Sequence, residues 1–462
     1  MVQPSPIEVT NINNIKTMTR QLRRIPSLGL SHRAAPTRGR QATWAGASYP
    51  VCLVCLAVAT PVTVRADEPN PWYLGASQAL TQQSNLFRIG RNLAGAEQTL
   101  PAGVSKSDLV STTALIGGIE QPIGRQRLYG SINLADNRYQ HNRQLDTPSH
   151  NVNLGLDWST IERLSGSLGY ADNKRQVQFN TLNSASSVET RRNIVDTRRA
   201  NAVARLGLVT KLTAEAQWAH ERVDYSAPEY AFREYRQSSV SLGLNYKPSG
   251  LLTLGAAWRQ TRGEYPLFSA LAADRFTRDD LDLSANWQPS QVSQLSARLS
   301  ATQTRYEQDT LRNSSGPTGY VNWHWHPTGK LSLSAHLARD FGQSGYAADF
   351  GALGNGVIDY SNTRTTWRLR ADQAVDAKIA LSASMAQVHR ALVNTAATSA
   401  ATLGVVRGSD NTLSFSLGAR WTPTRHSLLS CDLSHDQRRT STALSTGMGA
   451  AVFGCSGQLT LQ

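Results

Sequence analysis

The sequence predicts an all-β chain, a transmembrane antiparallel up-and-down β-barrel of about 18 strands (16–18). Three observations predict it. Apolar and polar residues alternate with a period of two along many segments, a short turn motif recurs along the chain, and long polar connections separate the copies of that turn.

The first element, residues 1–66, differs from the remainder. It carries eight basic residues, Lys16, Arg20, Arg23, Arg24, Arg33, Arg38, Arg40 and Arg65, against the single acid Glu8. An apolar run from Val51 to Ala59 follows, then Pro61 and the small-x-small triplet Val64-Arg65-Ala66. That order is expected of a signal peptide cleaved after Ala66, with Met18 as an alternative start and residues 67–462 as the mature chain. The competing expectation, an uncleaved membrane anchor, is weakened by Pro50 and the small residues around it.

Beyond Asp67 no apolar stretch reaches the length of a membrane helix. Closed barrels are the other way to cross a bilayer, because every backbone N–H and C=O must be paired there. The strands have the required character. Leu413, Phe415, Leu417, Ala419 and Trp421 alternate with Thr412, Ser414, Ser416, Gly418 and Arg420. The same rhythm runs through 331–337, through Leu252, Leu254, Ala256 and Trp258, and through Leu295, Ala297 and Leu299. Such strands have one wet and one oily face, and hydrophobic residues make up 40% of the chain.

The turn motif places an aromatic at a strand end, Pro two residues on, and a new Leu-rich strand after it. Copies begin at Tyr246, Trp287, Trp325 and Trp421, with degenerate forms at Gln121–Arg125, Trp158–Glu162, Val209–Leu212 and Gln373–Lys378. Proline cannot continue a ladder, so each copy is expected to be a tight turn following its strand. The aromatic sits where a barrel needs an interfacial girdle. The repeat of about 40 residues also fits propeller blades, but two strands of roughly ten residues per repeat match a tilted membrane crossing better. The expected long connections are 140–150, 173–196, 224–236, 263–275, 308–317, 341–362 and 391–409. Short turns on the periplasmic side, longer outer loops and an even strand number would leave both termini periplasmic.

Several segments resemble one family. Tyr73-Leu-Gly-Ala-Ser77, Ser84-Asn85-Leu86-Phe87-Arg88, Arg192-Asn193-Ile194, Arg262-Gly263-Glu264-Tyr265-Pro266 and the stretch Trp325 to Ala335 are similar to EpsL-type proteins. These are outer-membrane β-barrels associated with exopolysaccharide biosynthesis operons. The resemblance implies a role in exopolysaccharide production or export, with the polymer and its export proteins as partners, and it brings no catalytic residues. The sequence departs from the usual barrel ending: Leu459-Thr-Leu461-Gln462 lacks the terminal aromatic that helps the barrel-assembly machinery recognise a last strand.

Site candidates follow from the strand phase. Arg205, Arg259, Arg298, Arg368, Arg370 and Arg420 fall opposite the apolar face and are expected to line the lumen. They would favour anions in a pore, or they would only balance acids such as Asp282 and Asp372. Cys52 and Cys55 fall in the leader. Cys431 and Cys455 are equidistant from the middle of the connection 437–445, so they would form a cross-strand disulfide or stand as two small lipid-facing residues beside Leu433 and Phe453. His324 and His326 share a face with no further ligand near, which fits lumen-facing polar residues better than a metal site. No nucleophile elbow, P-loop or dinucleotide fingerprint is present. No enzyme, cofactor or metal is therefore expected. The arginines do not cluster on a helix, so the net charge of +14 is not read as a nucleic-acid footprint. The expected function is an outer-membrane barrel in exopolysaccharide export, in contact with outer-membrane lipid. The alternative is a general porin for small, anionic solutes.

Overall fold

A computed structural model of the chain describes residues 70–461 apart from 92–94, 180–187, 210, 268–272, 309–312, 350–354, 399–401 and 443. The leader, with Ala66, Cys52 and Cys55, lies outside the described residues. The strands are β1 (Trp72–Gln83), β2 (Gly90–Arg91), β3 (Asp108–Ile123), β4 (Gln126–Tyr139), β5 (Thr147–Ser159), β6 (Leu164–Gln176), β7 (Ile194–Val209), β8 (Leu212–Tyr225), β9 (Tyr235–Ser249) and β10 (Leu252–Tyr265). They continue as β11 (Asp274–Ser290), β12 (Ser293–Tyr306), β13 (Ser314–Trp325), β14 (Leu331–Asp349), β15 (Asn355–Ala374), β16 (Ile379–Thr398), β17 (Thr402–Thr424), β18 (Ser427–Thr440) and β19 (Gly447–Leu461).

The eighteen long strands form one closed antiparallel barrel, and β2 is a two-residue addition beside the start of β19. Each long strand pairs with its neighbours in sequence. Closure is made by β1, which pairs with both β3 and β19, in register from Leu74 opposite Leu461 to Gln83 opposite Val452. No long strand is left with an open edge, so the backbone needs no water along the wall. The eight short turns and both ends of the barrel chain lie at one rim, and the longer connections lie at the other.

The predicted alternation fixes the two faces. Leu115, Leu299, Leu417 and Leu459 point outward and are about 60% exposed (59%, 61%, 60% and 62%), as are many other large apolar side chains. An apolar surface of this extent is stable only against lipid or another apolar partner. Outward aromatics mark its margins. Trp72, Trp158, Tyr246, Trp287, Trp325 and Trp421 stand near the short-turn rim, and Tyr170, Trp218, Trp258 and Trp367 stand six or seven residues farther along their strands. Above the second row the outer face of β6 to β10 carries charged residues, among them Lys174, Arg198, Arg222, Arg236 and Arg262. For strands tilted about 40°, six or seven residues set the two rows roughly 15–18 Å apart in height. This is the geometry of a transmembrane β-barrel.

Two details of the turns differ from expectation. Pro248, Pro289 and Pro423 do not follow their strands but lie inside the last residues of β9, β11 and β17. The register shifts at these places, between Leu252 and Leu254, Trp287 and Ser290, and Trp421 and Thr424. A bulge absorbs the residue that has no N–H to donate. Pro327 alone lies beyond its strand end, in the connection after Trp325. The degenerate turns use other devices, and Pro122 pairs opposite Arg127 at the end of β3 without a register shift. Gly124, at φ 60, opens the two-residue loop between Ile123 and Gln126. Asp376 accepts hydrogen bonds from the backbone N–H of Lys378 (2.6 Å) and Ile379 (2.7 Å), which hold its carboxyl below the usual carboxylate range.

The connections expected at 341–362 and 391–409 are not loops. β14 and β15 pair as far as Asp349 opposite Asn355, and β16 and β17 pair to Ala397 opposite Thr402, so two hairpins extend the wall on one side. Both faces of these extensions carry polar residues, so sequence contrast disappears where lipid no longer imposes it.

Cys431 and Cys455 are direct cross-strand partners on β18 and β19, joined as a disulfide with Cα atoms 4.1 Å apart. They share the outward face with Leu429, Leu433 and Phe453. The 24-residue separation leads us to expect that Cys431→Ser lowers stability by about 3 kcal/mol. Denaturant unfolding of the purified barrel, with gel mobility in the presence and absence of reductant, measures both the pairing and its effect.

Candidate functional site: the barrel lumen

All six arginines singled out from the sequence lie on the inner face, and the structure gives them unlike surroundings. Arg205 on β7 donates from Nε to Glu215 Oε2 on β8 at 2.6 Å. Arg259 on β10 bridges Asp282 at 3.1 Å and Asp280 at 3.2 Å. Arg370 pairs with Asp372, two residues along β15, at 2.8 Å. Arg298 stacks over the Tyr320 ring, 5.0 Å from its centre. Arg368 and Arg420 have no carboxylate partner among the described residues. Arg368 is opposite His336 and Ala386, and Arg420 is opposite Ala380 and Ser430. His324 also lies on the inner face, opposite Ser334, whereas His326 falls beyond the end of β13. Among the described residues no group of His, Cys, Asp or Glu is placed to hold a metal ion.

One wall is a dense ionic network. Asp280 is 1% exposed and accepts from Thr302 Oγ1 at 2.5 Å and from Arg278 Nε at 3.1 Å. Arg278 also reaches Asp340, on β14, at 3.3 Å. Ser300 Oγ donates to Asp282 at 2.5 Å, and Thr302 shares a 2.8 Å hydrogen bond with Thr318. Asp280→Ala would leave two arginines facing each other in a poorly solvated wall. We expect a loss of about 3 kcal/mol or more, read as earlier unfolding in denaturant, and a smaller loss for Asp280→Asn.

The rim with long connections is narrowed from within. Ser226 to Glu234, between β8 and β9, includes a 3-10 turn over Pro228–Arg233. This turn touches β14, five strands round the barrel from β9, so the segment crosses part of the mouth. Its anchor is Tyr230, 1% exposed, packed in a nest made by Val195, Val223, Tyr235, Tyr265, Phe276 and Tyr306. Backbone hydrogen bonds fix both ends. Ser226 N donates to Ile194 O at 2.9 Å, Ala227 N to Asn193 Oδ1 at 3.2 Å, and Tyr225 N to Glu234 Oε1 at 3.0 Å.

A second inward segment follows β1. Phe87 is fully buried against Phe179, Tyr139 and Leu145. Asn85 Nδ2 donates to Gly449 O at 2.9 Å, and Arg88 Nη2 donates to Asp436 Oδ2, on the inner face of β18, at 2.9 Å. Arg88, at φ 51, is the one non-glycine residue with positive φ among the described residues. Its ion pair with Asp436 holds a backbone conformation that side chains disfavour. Three segments that carry the sequence resemblance, 84–88, 192–194 and 262–266, therefore contribute to the anchoring of this rim.

Sequence reasoning missed the nest. A signal was available: Tyr235, Tyr265, Phe276 and Tyr306 fall in the polar phase of their strands, in step with Arg259 and Asp280 rather than with Trp258 and Leu281. An aromatic in the wrong phase at a strand end marks something packed inside.

No protein-family model matches the chain, and no curated protein matches it. Among solved structures, it is similar to the outer membrane protein OpdK from Pseudomonas aeruginosa, with 13% identity, a TM-score of 0.43, and coverage of 84% of this chain and 99% of that one. It is similar to OccK2 (OpdF) from the same organism, with 13% identity, a TM-score of 0.43, and coverage of 84% and 98%. The FrpB iron transporter from Neisseria meningitidis (F5-1 variant) gives 9% identity, a TM-score of 0.44, and coverage of 85% and 83%.

Proposed function

We propose that the chain is an outer-membrane diffusion pore for small hydrophilic solutes, with a preference for anions. On this reading the short turns and both chain ends face the periplasm, the long connections face outward, and the barrel-assembly machinery inserts the chain. The observation that carries it is a closed wall, apolar outside and ionic within, whose mouth is narrowed by inward segments. A polar lumen of this size admits water. The mouth segments favour small solutes over a threaded polymer. Anion preference rests on Arg368 and Arg420, because most other lumen cations are neutralised by carboxylates. A second reading, export of exopolysaccharide with its partner proteins, is supported by the sequence resemblance alone.

Reconstitution in planar bilayers tests the proposal. Discrete conductance steps are expected, with a reversal potential in a salt gradient on the anion side. Liposome swelling should be fast with monosaccharides and fall off with oligomers. Absence of conductance from a folded barrel would defeat the pore reading. Loss of secreted polysaccharide on gene deletion, with solute uptake intact, would favour the second.

A further inference from the structure

The outer face above the second aromatic row carries an arrangement that the pore does not use. Arg198 on β7 is directly opposite Arg222 on β8, and Arg222 is directly opposite Arg236 on β9. Strand phase points all three outward, in step with Leu206, Trp218 and Val240, and their side chains are 49%, 55% and 58% exposed. Like charges opposed across adjacent strands destabilise a sheet. Among the described pairings, these are the only outward arginine pairs. Asp172 stands at one end of the row, and Glu264 with Arg275 beyond it at the other.

Each arginine of the row has a carboxylate partner, and Asp172 also lies 4.0 Å from Arg198, so the surplus charge of the patch comes from the cations that flank the row. Arg198 pairs with Asp196 at 2.7 Å, Arg222 with Asp224 at 2.8 Å, and Arg236 with Glu264. Two more cations, Lys174 and Arg262, face outward beside the row without a carboxylate partner among the described residues. The patch thus keeps an excess of positive charge, and each guanidinium has more donors than one carboxylate can use.

Height identifies what meets it. Tyr170, Trp218 and Trp258 lie four residues below Lys174, Arg222 and Arg262 on the same outward faces. Aromatics of this kind sit at the margin of the hydrocarbon, so cations roughly 10 Å higher stand at the level of the headgroups. We propose that Arg198, Arg222 and Arg236 form a binding site for the phosphorylated sugar headgroup of an outer-leaflet glycolipid. A phosphomonoester brings a charge between about −1.5 and −2 and three acceptor oxygens, which match the surplus charge and the spare donors. The site rests on the orientation proposed above, with the long connections outward.

The test uses the full chain purified in detergent and titrated with diphosphoryl lipid A, with retention read by native mass spectrometry. Wild type is expected to hold the lipid, and R198Q/R222Q/R236Q to bind about ten-fold more weakly or worse. R305Q/R339Q, on the outer wall away from the row, should bind as wild type. Heat-modifiable gel migration establishes that each variant is folded. Equal binding by the triple variant overturns the proposal. So does equal retention of the dephosphorylated lipid, displacement of the lipid by millimolar inorganic phosphate, or a preference for phosphatidylglycerol. The pore reading is checked separately, because the triple variant should keep wild-type conductance. A chain that binds lipid A but never conducts would remove the pore reading and leave this site standing.

Discussion

Replacing Tyr230 by Ala is expected to release the inward segment from the wall and raise single-channel conductance. Tyr230 is buried to 1% exposure and belongs to the same buried cluster as Tyr235, Tyr265, Phe276 and Tyr306. Its ring lies 5.6 Å from that of Tyr225, and the Arg233 guanidinium lies over it at 5.5 Å. Truncating a buried aromatic removes about 3 kcal/mol or more of packing. The hydrogen bonds of Ser226, Ala227 and Tyr225 at the ends of the segment cannot hold its middle across the mouth. Bilayer recordings should show larger steps with more flicker. The wall itself should be nearly unchanged in thermal stability, because no barrel pairing passes through Tyr230. Unchanged steps in a folded Tyr230→Ala barrel would mean that the current does not pass beside this segment.

Inverting charge at Arg368 and Arg420 should move the reversal potential toward cations. These two differ from Arg205, Arg259 and Arg370, each of which has a carboxylate within 3.2 Å. A paired arginine contributes little net field, whereas one without a partner attracts mobile anions. The double variant Arg368→Glu, Arg420→Glu is therefore expected to have the largest effect of any such pair. Arg205→Glu would place a carboxylate against Glu215 and report on wall stability more than on selectivity. A salt-gradient measurement separates these outcomes. No shift in the double variant would return the arginines to a balancing role throughout.

The faces and turns of the barrel were legible because lipid on one side and water on the other impose a period of two. Trp421, Leu417 and Leu413 lie on one side of β17, and Arg420, Ser416 and Thr412 on the other, as the alternation predicts. Strand number was legible because each short turn has its own chemistry, whether Pro248, Gly124 or the Asp376 cap. Three things were not. The position of proline inside a bulge depends on which N–H groups face a partner, and that is a property of register. The extended hairpins of β14–β17 lose their contrast once both faces meet water. Neutralisation of lumen arginines depends on pairs far apart in sequence, such as Arg390 with Asp410 and Arg278 with Asp340. Strand phase places a side chain inside, and only the register says what stands opposite.

The outward position of the Cys431–Cys455 bridge fixes an order of events for a wall set in lipid. Hydrophilic thiols do not enter hydrocarbon, so neither oxidants nor reductants dissolved in water can reach these sulphurs once the hairpin is embedded. Oxidation must come first, while the β18–β19 hairpin is still wet. Insertion then makes the crosslink irreversible in practice, and the strand that seals against β1 arrives already tethered to its neighbour.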